Sequence, residues 1–116
     1  MYSFAQRSDF KVIDEPLFAH FLKLTGSQRP SRDEALRTMH TDFQSIQQAW
    51  NSNGSHVFLK HMANHLEGMN DASFESHHHL FLIRDPQKVI RSFRAHIDQP
   101  SSMDLCYSHQ WDWLQK

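Results

Sequence analysis

The chain alternates short apolar runs with longer stretches in which apolar residues recur every three or four positions. The runs read as strands and the stretches as helices, because side chains change face at each strand residue but return about every 3.6 residues in a helix. Residues 1–7 read as the tail of a helix with Tyr2 or Phe4 on its buried side, and Phe10-Lys11-Val12-Ile13 as a short strand. Asp14-Glu15-Pro16 then opens a helix, since proline suits the first helical position and an acidic residue the cap before it. Leu17, Phe18, Phe21 and Leu22 line one face of that helix, and Gly26 ends it.

Ser31 and Glu34 have the spacing of a capping box. Leu36, Met39, Phe43, Ile46 and Trp50 follow at intervals of 3, 4, 3 and 4, which predicts a helix stripe closed by Asn53-Gly54. Val57-Phe58-Leu59 reads as a second strand, residues 61–67 as a short helix capped by Gly68, and Asn70-Asp71 as part of a polar loop. Leu80-Phe81-Leu82-Ile83 is apolar on both faces, as a central parallel strand must be. Asp85-Pro86 restarts a helix with Val89, Ile90, Phe93 and Ile97 inward; Pro100 breaks it, and residues 103–116 form a last amphipathic helix.

Strands separated by helices imply crossover connections and a parallel sheet. The expected fold class is α/β: one domain over residues 1–116, with a partial three-layer parallel sheet and flanking helices. Three strands look like part of a sheet, and the chain opens in mid-helix, so the expectation is a fragment.

Composition narrows the function. Twelve Lys and Arg against 13 Asp and Glu leave a formal charge of −1, which gives no general pull on nucleic acid or an anionic membrane. The run Leu80–Ile83 is far too short to span a bilayer, and the N-terminus has no basic, apolar leader, so the expected location is cytoplasmic. The lone Cys106 excludes an internal disulfide framework and a Cys-only metal site. His61 and His65 have a zinc-compatible spacing, but no third ligand stands at a suitable distance along the chain, and no metal is expected. The three glycines, at 26, 54 and 68, are too far apart for a glycine-rich phosphate loop.

Ligands of open parallel sheets bind beyond the carboxyl ends of the strands. The first polar residues there are Asp14 and Glu15, Lys60 and His61, and Arg84 and Asp85. This is suitable equipment for moving a charged group onto a hydroxyl.

Among these, Leu80-Phe81-Leu82-Ile83-Arg84-Asp85-Pro86, with Ser92 eight residues beyond Arg84, resembles the 3′-phosphate-binding segment of the sulfotransferases. These enzymes use 3′-phosphoadenosine 5′-phosphosulfate (PAPS) as co-substrate. Asp14-Glu15-Pro16 and Phe58-Leu59-Lys60-His61-Met62 look similar to bacterial members of that family, and the resemblance covers nearly the whole chain. It implies a P-loop-NTPase-like core, a nucleotide and a small-molecule acceptor as partners, and sulfonate transfer to a hydroxyl or amine. It also implies that Arg84 and Ser92 bind the cofactor, that Glu15 or else His61 is the general base, and that Lys60 stabilises charge. The family's 5′-phosphosulfate loop would lie upstream of Met1, so the isolated chain is expected to show weak or no catalysis. Two rival readings are a non-catalytic interaction module completed by a partner chain and a phosphoryl-transfer enzyme on the same core. Exposed sheet or helix faces offer surfaces for homo-oligomerisation.

Overall fold

In the computed structural model of the chain, which describes residues 1–50, 56–69 and 71–115, a one-turn helix, α1 (Tyr2–Ala5), leads into strand β1 (Phe10–Asp14). Phe4 is the residue that packs: its ring stacks on Phe58 at 4.4 Å and tilts against Phe10 at 5.0 Å, whereas Tyr2 is 80% exposed.

Helix α2 (Phe18–Thr25) begins two residues later than the Asp14-Glu15-Pro16 signal predicts. Pro16 instead holds the second position of a β-turn in which the Phe18 N–H donates to the Glu15 carbonyl at 3.0 Å. Gly26 ends the helix as expected, at φ 67°, with its N–H on the Leu22 carbonyl at 3.0 Å. Leu17, Ala19, Phe21 and Leu22 are buried, and Phe21, Leu22 and Ala35 form a cluster covered by Phe18, Leu36 and Met39.

The Ser31–Glu34 capping box does not form. Ser31 has a left-handed φ of 60°, because it follows Pro30 in a turn closed by the Arg32 N–H on the Arg29 carbonyl at 3.2 Å. A side-chain cap needs an extended residue at that place, and the turn geometry prevails. The continuous stripe from Leu36 to Trp50 divides into α3 (Arg32–Thr38) and α4 (Phe43–Trp50). Met39 is extended, and the Asp42 carboxylate accepts the Ser45 N–H at 2.8 Å, so a capping residue restarts the helix within an unbroken apolar rhythm. The predicted Asn53-Gly54 stop lies outside the described residues.

Strand β2 (His56–Lys60) pairs in parallel with β1, from Phe10 opposite His56 to Asp14 opposite Lys60. The helix predicted over 61–67 contracts to a 3-10 turn at Ala63–Leu66. These elements make up one compact unit, Met1–Leu66.

The second unit is Glu67–Lys116. Phe74, 2% exposed, is its apolar centre and meets the edge of Trp113 at 5.7 Å. Helix α5 (Pro86–Phe93) starts where predicted, capped by the Asp85 carboxylate, which accepts the Lys88 N–H at 3.2 Å. Val89, Ile90, Phe93 and Ile97 are half-buried and their polar neighbours exposed, as their spacing requires. The last predicted helix is two, α6 (Ser102–Leu105) and α7 (Tyr107–Leu114), parted by Cys106 at φ 56°. Lys116 lies outside the described residues, as does Asn70 of the polar loop.

Residues Leu80–Ile83 are not the central strand the sequence predicts: among the described residues the sheet has two strands, and Leu80, Leu82 and Ile83 are 77%, 91% and 74% exposed. A strand exists only where a neighbour completes its backbone ladder, and hydrophobicity alone does not supply one. The fold is thus a mixture of helices with a small parallel sheet. Among the described residues no helix is long and apolar enough to cross a membrane.

Candidate functional site

The carboxyl ends of β1 and β2 bring three of the predicted residues into contact or sequence adjacency. Parallel pairing sets Asp14 opposite Lys60, and the Glu15 N–H extends the ladder by donating to the Lys60 carbonyl at 2.8 Å. Glu15 then takes a left-handed φ of 46°, unusual for a residue with a side chain. Its carboxylate is ion-paired with the Lys60 ammonium, which also lies 3.2 Å from Asp14. Partial burial disfavours the Lys60 charge, yet the hydrogen bonds and charges of Glu15 and Asp14 overcome this and raise its pKa above the ordinary value. The ammonium therefore persists across the neutral range and holds the Glu15 carboxylate in place. Glu15 is not a helix cap; Leu17 occupies that position.

His61 follows directly, half-buried with its ring meeting the edge of Trp50 at 6.1 Å. His65 has a different role. It is 4% exposed, tilted against Phe18 and Phe21 at 5.3 and 5.1 Å, and its Nδ1 is buried without a hydrogen-bond partner among the described residues. Burial, with Lys60 and Arg29 adding their positive charges, lowers its pKa to about 4. It is a neutral core histidine.

Arg84 and Ser92 lie in the second unit. They line one depression of about 360 Å³ together with Lys88 and Arg91. Lys88, Arg91 and Ser92 fall on one side of α5, opposite the half-buried Val89, Ile90 and Phe93, and Arg84 stands just before the helix's Asp85 cap. Among the described residues no carboxylate forms an ion pair with Arg84, Lys88 or Arg91. A planar guanidinium donates two parallel N–H bonds to a phosphate and a serine hydroxyl adds a third, so the residues present suit a phosphate group. Lys88 and Arg91 were not singled out from the sequence. Their spacing from Arg84, on the polar side of a recognisable apolar stripe, is the signal that identifies them.

A family model for the sulfotransferase domain matches residues 1–115, across both the strand-end cluster and the cationic depression. The chain belongs to the sulfotransferase-domain family. It is 38% identical over 109 residues to branched-chain-amino-acid aminotransferase-like protein 1 of Arabidopsis thaliana, which covers 90% of this chain and 20% of that protein. Likewise it is 39% identical over 97 residues to branched-chain-amino-acid aminotransferase-like protein 2 of the same organism, covering 80% of this chain and 17% of that protein. The chain thus spans at most a fifth of the length of these relatives. No solved structure matches it.

Proposed function

We propose that this domain serves sulfonate transfer from PAPS to a hydroxyl or amine of a small acceptor, on a P-loop-NTPase-like core, with Arg84 and Ser92 holding the nucleotide's 3′-phosphate. The observation that carries the reading is the convergence of Arg84 and Ser92, eight residues apart, on one cationic depression. PAPS supplies a sulfonate whose bond to the 5′-phosphate breaks as the acceptor attacks in line, leaving adenosine 3′,5′-bisphosphate. Glu15 accepts the acceptor's proton, and its half-buried, ion-paired position supports that assignment. His61, next along the chain, is the alternative base. Lys60 positions Glu15 and stabilises developing negative charge nearby. In this reading the domain works in the cytoplasm.

The test is thermal unfolding of wild type and Arg84→Ala with and without adenosine 3′,5′-bisphosphate. At a ligand concentration of about 100 times Kd, binding adds about 2.7 kcal/mol and raises Tm by several degrees in a domain of this size. The shift is expected in wild type and absent in Arg84→Ala. A folded wild type that shows no shift at millimolar ligand overturns the reading and leaves the interaction module in its place.

A further inference from the structure

Resting on the nucleotide reading above, we propose that Lys88 and Arg91 read the charge of the 3′ group and select a dianionic phosphomonoester over a singly charged phosphodiester. Arg84 and Ser92 by themselves supply one positive charge and one hydroxyl, which would satisfy a monoanion. The depression holds more: Lys88 and Arg91 line it as well, and all three cations are exposed and without an ion-pair partner among the described residues.

Their orientation is not left to a flexible surface. Helix α5 turns its half-buried Val89, Ile90 and Phe93 away from solvent, which fixes the side carrying Lys88, Arg91 and Ser92. Asp85, which follows Arg84 in the chain, has one carboxylate oxygen engaged by the Lys88 backbone N–H at the start of the helix. A phosphomonoester carries close to two charges at neutral pH, with its second pKa near about 6, whereas a diester carries one. Additional cations therefore reward the monoester most, and do so through a field that salt screens over about 10 Å at 0.1 M.

The experiment measures calorimetric affinities of the full chain near pH 7.5 for two probes: adenosine 3′,5′-bisphosphate and its 3′-methyl phosphodiester. Wild type, Lys88→Gln, Arg91→Gln, the double variant and Arg84→Ala are compared at low and high salt. Glutamine keeps helix propensity at these exposed positions, and unchanged Tm values without ligand verify folding. Each single variant is expected to weaken the bisphosphate about three- to tenfold at low salt, and the diester less. The double variant loses most of the preference between the probes, and high salt narrows the preference of wild type. If Arg84→Ala removes binding while Lys88→Gln and Arg91→Gln keep the wild-type affinity and preference, this inference fails and the nucleotide reading stands. Equal weakening of both probes also overturns charge selection. A folded wild type that binds neither probe overturns both.

Discussion

His65 offers a quantitative check on the packing of the first unit. In the folded chain its ring remains neutral down to about pH 4, because it is buried against Phe18 and Phe21 and faces the positive charges of Lys60 and Arg29. In the unfolded chain it takes up a proton near the ordinary 6.5. Between those values the unfolded state binds more protons, so stability falls as pH drops through the window. Relative to a residue that cannot titrate, His65 lowers stability by about 1.4 kcal/mol at pH 5.5 and about 2.5 kcal/mol at pH 4.5, order-of-magnitude figures for a shift from 6.5 to about 4. Such a loss is a large part of the stability of a small domain, typically about 5–15 kcal/mol.

The assay is urea unfolding of wild type and His65→Leu at pH 7, 5.5 and 4.5. Leucine changes the shape of the site, but that cost is the same at each pH. All other ionisable groups are common to both proteins, so their contributions cancel in the difference. Wild type should therefore lose about 2 kcal/mol more than His65→Leu between pH 7 and pH 4.5. Parallel pH profiles for the two proteins would refute the buried, neutral assignment, as would an NMR titration that places the His65 ring near its ordinary pKa.

Two further perturbations test the core and the strand-end cluster. Leu22→Ala removes a fully buried side chain from the α2–α3 cluster and should cost about 2–5 kcal/mol in urea unfolding. A cost within the range of exposed sites would place the core elsewhere. A double-mutant cycle with Glu15→Gln and Lys60→Met should give a coupling of about 1 kcal/mol at low salt, reduced because both side chains remain about a third exposed, at 30% and 37%. Strictly additive costs would show that the ion pair does not form in solution.

The elements that were legible in the sequence are those decided by neighbours in the chain. Gly26 stops α2 because a left-handed cap suits a residue without a side chain, and Asp85-Pro86 starts α5 because the cap and the proline act within one turn. Where two local signals competed, the sequence did not say which would prevail. At Ser31 the turn set by Pro30 overrode the capping box, and at Asp42 a cap interrupted an apolar rhythm that continued on both sides. Lys88 and Arg91 were visible as spacing but had no weight until the surface depression joined them to Arg84.

By itself, then, the sequence determined the β1 and β2 runs, the apolar stripe of α5, the 84/92 spacing and the likeness to the sulfotransferases. All of these depend on residue type and on separations of a few positions. Only the tertiary structure decided that Lys60 is paired with Glu15, that His65 is buried in the core against Phe18, and that Leu80, Leu82 and Ile83 remain exposed instead of forming a strand. Each of those outcomes depends on residues distant in the chain. An ion pair, a desolvated ring and a strand ladder all require a partner, and the partner's position is set by the packing of the whole unit.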